Sequence, residues 1–127
     1  MTETEKHRIA FNIASQIQCL LSMTNDIDIQ EKLLKATFKV IEGFNIQKSI
    51  PQANLKKTYS FQEEVKKLIK SIDNIVIACN QDYYNNNQKE LLTDHEYDRL
   101  TEANMLLNSV IDVKTDKGYY SFLGIKN

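Results

Sequence analysis

The residue types of an acid–base or metal site are concentrated between positions 94 and 102. Asp94, His95, Glu96, Asp98 and Glu102 all fall in that stretch. On a helix, His95, Asp98 and Glu102 share one face at spacings of three and four, where they could hold a cation or pass a proton. Simpler roles compete with that chemistry. Acidic residues in a first helical turn are expected from the helix dipole. Thr93-Asp94-His95-Glu96 also has the spacing of a capping box, which already engages Glu96. His7 stands beside Arg8 near the start of the chain, where an exposed position is expected. No Glu-x-x-His pair recurs on two helical segments, no Gly-rich phosphate loop is present, and no Ser or Cys has a recognisable catalytic partner. The expectation is a protein that is not an enzyme, with no catalytic residue, metal or cofactor.

Cys19 and Cys79 lie on apolar stripes and read most simply as small buried hydrophobes in a reducing compartment. A disulfide between two core-facing helices is the alternative. Neither has a second Cys or His at ligand spacing.

Charge carries more information. The chain of 127 residues has a formal net charge of −1, but its distribution is uneven. Residues 32–70 contain nine lysines against three glutamates, a net +6 that leaves −7 elsewhere. A basic stretch of this kind can contact phosphate backbones, where binding is largely electrostatic and independent of sequence. It can equally be a solvated face, or complement acidic helices of the same bundle or another subunit. The only arginines are Arg8 and Arg99, which disfavours the bidentate contacts of base-specific readout.

The elements that position these residues follow from composition and periodicity. Three glycines, one proline and 42% hydrophobic residues fit a helical domain better than a turn-rich β fold. Apolar residues at spacings of three and four predict helices over residues 3–23, 28–46, 51–80 and 93–113. The first has Ile9, Ile13, Ile17 and Leu20/Leu21 on its stripe, and the second has Leu33/Leu34, Thr37, Val40/Ile41 and Phe44. Gly43, near the end of the second, suggests a close helix contact or fraying. The third carries Leu55, Tyr59, Gln62, Val65, Ile69, Ile72, Val76 and Cys79, starting at Pro51. The fourth has Tyr97, Leu100, Ala103/Asn104, Leu107 and Val110/Ile111. The breaks between them are short and polar, which predicts an all-α fold: an antiparallel up-down four-helix bundle over residues 1–113.

Residues 114–127 form a different unit. A turn at Thr115-Asp116-Lys117-Gly118 leads into an aromatic, apolar tail with Tyr119, Tyr120, Phe122 and Leu123. The tail is expected to pack on its own bundle or to contact a partner or another subunit. No stretch approaches the 18–20 apolar residues of a membrane span, and residues 1–6 lack a signal-peptide pattern. A cytoplasmic location, with no membrane partner, is the expectation.

Two stretches resemble a known family. Lys35-Ala36-Thr37-Phe38-Lys39-Val40-Ile41-Glu42-Gly43-Phe44 is similar to the late second-helix motif of the bacterial four-helix bundle family, in which an apolar residue, Glu, Gly and an aromatic close the helix. That family includes the proteins encoded in 23S ribosomal RNA intervening sequences and the accessory proteins of diversity-generating retroelements. Leu91-Leu92-Thr93-Asp94-His95-Glu96-Tyr97-Asp98-Arg99-Leu100 resembles its fourth-helix start, and Met105-Leu106-Leu107-Asn108-Ser109-Val110-Ile111 its closing stretch. The resemblance covers about residues 5–113 and is weakest in the first helix. It implies a ring-shaped homo-oligomer, a pentamer, and for the retroelement branch binding to a reverse transcriptase and to RNA or DNA. That branch is markedly basic, and this chain departs from it in being nearly neutral. The nucleic-acid or partner contact carries over only to the lysine-rich stretch, through Lys48, Lys56, Lys57, Lys66, Lys67 and Lys70. The reading is thus a non-enzymatic, oligomeric accessory or scaffold bundle that contacts nucleic acid or a nucleic-acid enzyme. The alternative is a protein–protein interaction module with no nucleic-acid role.

Overall fold

A computed structural model describes residues 1–46, 60–84 and 91–111. Four helices form a bundle: α1 (Glu3–Leu21), α2 (Ile27–Phe44), α3 (Phe61–Tyr84) and α4 (Asp94–Ser109). The all-α bundle expected from periodicity is the fold observed.

Each helix starts where a side chain can satisfy its first free amides. Thr2 Oγ1 accepts from the Glu5 amide at 3.2 Å and opens α1. Asp26 Oδ1 accepts from the amides of Asp28 and Ile29 at 2.9 and 3.2 Å and opens α2. At α4 the capping box is complete: Thr93 Oγ1 accepts from the Glu96 amide at 3.2 Å, and Glu96 Oε1 accepts from the Thr93 amide at 2.8 Å. The stop of α2 is equally local. Asn45 adopts the left-handed conformation (φ 54°, ψ 45°), which asparagine tolerates better than most residues with a side chain. The Ile46 amide then bonds back to the Ile41 carbonyl at 3.2 Å.

Helix α3 departs from the expected bounds. Its described span begins at Phe61, with Ser60 Oγ accepting from the Glu63 amide at 3.3 Å. Ser60 and Glu63 stand at capping-box spacing, a start signal that a stripe traced from Pro51 runs straight past. Leu55 and Tyr59, placed on that stripe, lie outside the described residues. Gln62 is exposed, while Val65, Leu68, Ile69, Ile72 and Val76 are buried.

The core is built from Ala10, Ile13, Ala14, Ile17 and Leu20 of α1 with Leu33, Ala36, Val40 and Phe44 of α2. Leu100, Ala103 and Leu107 of α4 complete it against the buried residues of α3. Cys79 packs against this core, Cys19 is partly exposed, and no disulfide joins them.

Four pairs of helices are neighbours: α1 with α2, α2 with α4, α4 with α3, and α3 with α1. Their directions follow from side-chain contacts. Near the start of α2, Lys32 Nζ reaches the carbonyl of Ser109 at the end of α4, while Gly43 at the end of α2 abuts Arg99 near the start of α4. Asn80, late in α3, accepts from the Tyr97 hydroxyl early in α4 at 2.9 Å. Lys6 and Glu96, both in first turns, bring the starts of α1 and α4 together. Every neighbouring pair is therefore antiparallel, but not in the up-down order of consecutive helices that short connections predict. The neighbours are not all consecutive: α2 and α3 run in the same direction at opposite corners. The end of α2 and the start of α3 therefore lie at opposite ends of the bundle.

Candidate functional site

Two surfaces carry residues of the kinds that bind partners. The first is the outer face of α3. Lys66, Lys67 and Lys70 are all exposed there. Positions 66 and 70 are separated by one turn, about 6 Å along the axis. Among the described residues neither Lys66 nor Lys70 takes part in an ion pair. Lys48, Lys56 and Lys57 lie outside the described residues, as do Tyr119, Tyr120, Phe122 and Leu123.

The lysines of α2 are differently placed. Lys35 pairs with Glu31 at 3.3 Å, Lys39 pairs with Glu102 at 3.2 Å, and Lys32 lies 3.4 Å from the Ser109 carbonyl. Because α2 and α3 occupy opposite corners, their lysines do not merge into one basic face. The sequence stretch is continuous in charge, but the fold divides it and offsets the α2 half with acids.

The second surface is an open groove between the outer edges of α2 and α4. Phe38, Met105 and Leu106 form its floor, with Lys35, Lys39, Glu42 and Glu102 around it. Phe38 is 63% exposed and Met105 51% exposed. Leu34, one turn before Phe38, also faces outward rather than into the core, contrary to the inner stripe assigned to it from sequence. Leu33 and Leu34 point about 100° apart on the helix; Leu33 takes the buried place, and Leu34 falls beyond the edge of the buried face.

The rim of this groove is a closed charge network. The Arg99 guanidinium donates to both Glu102 oxygens at 2.7 and 2.5 Å, and its Nε lies 3.5 Å from Glu42. The hydrogen bond from Arg99, followed by that from Lys39, holds the Glu102 carboxyl below its usual range. Glu102 is thus committed to cations on its own and a neighbouring helix. The helical face expected from His95, Asp98 and Glu102 leaves His95 and Asp98 exposed, with Glu102 turned to Arg99 and Lys39. Among the described residues no group of three His, Cys, Asp or Glu side chains could hold a metal ion.

Two buried polar contacts link helices far apart in sequence. Lys6 Nζ donates to Glu96 Oε1 at 2.9 Å with both side chains largely buried. The same Glu96 oxygen completes the capping box. Burial pushes the Glu96 carboxyl up, but the hydrogen bonds from the Thr93 amide and from Lys6 outweigh it and hold the group below its ordinary value. The hydrogen bond to Glu96 raises Lys6, against the effect of burial. In the seam between α3 and α4, Asn104 Nδ2 donates to Asp73 Oδ1 at 2.7 Å, and both residues are buried. Sequence reading missed these partners, because nothing in local spacing marks a contact between residues 6 and 96.

In comparisons with family models, curated proteins and solved structures, nothing matches this chain. Among the described residues no helix is long and apolar enough to cross a membrane.

Proposed function

We propose that the chain is a non-enzymatic accessory or scaffold bundle that assembles with copies of itself and contacts nucleic acid, or an enzyme acting on it, through the outer face of α3. The observation that carries this reading is the contrast between two sets of lysines. Those of α2 are engaged by acids or a carbonyl, while Lys66 and Lys70 are exposed and have no ion-pair partner among the described residues. Cations of that kind are free to displace the counterions of a phosphate backbone. The self-association and the cytoplasmic location belong to the same reading; the first is what the family resemblance implies.

Gel-shift titrations with generic RNA and DNA over a salt series test it. Binding is expected at about 50 mM salt and should weaken steeply by about 200 mM. Lys66→Glu with Lys70→Glu should weaken binding to every sequence alike. The slope of log affinity against log salt should fall by about one for each phosphate that the variant no longer neutralises. Absence of any complex at the lowest salt would remove the nucleic-acid role. Light scattering at micromolar concentration tests self-association, and a monomer would remove that part.

The groove on α2 and α4 favours a second reading, a protein–protein interaction module with no nucleic-acid role. Exposed Phe, Met and Leu side chains grouped on one surface are typical of protein contact sites.

A further inference from the structure

We propose that the groove between α2 and α4 is the docking site of the chain's own aromatic segment, residues 118–125, folded back within the same copy. The inference is independent of the nucleic-acid reading.

Three observations converge on this occupant. The groove floor is apolar and open, with Phe38 and Met105 each more than half exposed. Its charged surroundings are already paired: Lys35 with Glu31, Lys39 with Glu102, and Arg99 with both Glu42 and Glu102. A charged partner would have to break those pairs, whereas an uncharged apolar segment would not. Residues 118–125 read Gly-Tyr-Tyr-Ser-Phe-Leu-Gly-Ile, eight positions without a charge and with five large aromatic or aliphatic side chains.

Reach is the third observation. The described chain ends at Ile111, only six residues beyond Met105, so the groove floor lies about 9 Å back along the α4 axis. The seven residues 112–118 can span more than about 20 Å when extended, ample for a return along the α2–α4 edge. Covalent attachment gives the segment a millimolar-scale effective concentration at the groove, an advantage that a free partner lacks. The docked segment would cover Phe38 and Met105, and any protein partner of this face would first have to displace it.

The full-length protein with 13C-methyl-labelled methionine tests the proposal, since the chain has three methionines: Met1, Met23 and Met105. Docked aromatic rings shift the Met105 methyl signal. In Tyr119→Ser/Phe122→Ser that shift should vanish, while Met23 stays in place and the helical circular dichroism is unchanged. Amide exchange at residues 120–123 provides a second readout. These amides should be protected by about ten-fold or more, the protection that 1.4 kcal/mol of docking gives. Phe38→Ser should abolish that protection. Coincident Met105 signals in the parent and the tail variant would overturn the proposal. So would a Met105 shift that disappears on dilution, because the segment would then be docking on a second copy.

Discussion

Replacing Glu96 with alanine should lower stability by about 2–4 kcal/mol, read as a fall in the urea midpoint at unchanged slope. One carboxylate oxygen serves two functions: it accepts from the Thr93 amide at the start of α4 and from the Lys6 ammonium of α1. Alanine removes the reciprocal half of the capping box, a loss of about 1 kcal/mol. It also strands Lys6, whose side chain is only 9% exposed, without its principal counter-charge. Breaking a fully buried pair costs about 3–5 kcal/mol, but this pair lies at the bundle end, where solvent reduces the loss. Glu96→Gln separates the two roles, because a glutamine oxygen can still accept from the Thr93 amide. It should lose less than alanine. The pH response follows from the same contacts. Glu96 is held below its ordinary value of about 4.5, so its contribution is complete above that value and is lost as pH falls through the lower folded one. Lys6 is raised above about 10.5, so its contribution is complete below that value and fades as pH rises beyond it. Between pH 5 and 8 neither group should change stability. Acid titration of the parent and Glu96→Gln proteins checks this: the parent should show the extra loss below about pH 4.5, and the variant should not.

Gly43→Val should destabilise the bundle by about 3 kcal/mol, through overpacking of the seam between α2 and α4. A Cβ built at Gly43 would meet Arg99 Cβ at 2.6 Å and Arg99 Cγ at 3.1 Å. Arg99 Cβ sits next to its backbone, so relief requires movement of α4 itself. Alanine at this position should cost less, since a gain in helix propensity of up to about 1 kcal/mol offsets part of the overlap. Any displacement of α4 would also disturb the Arg99 contacts to Glu42 and Glu102. Thermal unfolding of Gly43→Ala and Gly43→Val gives the comparison. A stabilised alanine variant would show that the two helices can separate at little cost.

Much of this architecture was legible in the residues themselves. The periodic stripes of α1, α2 and α4 place most of the core, and Thr93 with Glu96 fixes the start of α4 to the residue. At Gly43 the sequence left a close helix contact or fraying open, and the approach of Arg99 is the contact. The start of α3 was legible too, in Ser60 and Glu63, but the apolar spacing from Pro51 onward masked it. What local spacing could not contain was the identity of neighbours. The pairing of Lys6 with Glu96, the contact of Asp73 with Asn104, and the outward turn of Leu34 and Phe38 all depend on which helices adjoin. The lysine-rich stretch illustrates the same limit. Its charge is evident from composition, yet only the placement of α2 beside α4 shows that Lys39 is countered by Glu102, while the lysines of α3 face solvent elsewhere.

The shared direction of α2 and α3 has a consequence for how the molecule is assembled. It divides the bundle into two antiparallel hairpins, α1–α2 and α3–α4, each held by contacts close in sequence. The most extensive seam, between α2 and α4, joins one hairpin to the other. The seams between the two hairpins therefore hold the molecule together alongside those within them. Each hairpin completes the other's apolar face, much as two subunits of a dimer do, and one core draws on both.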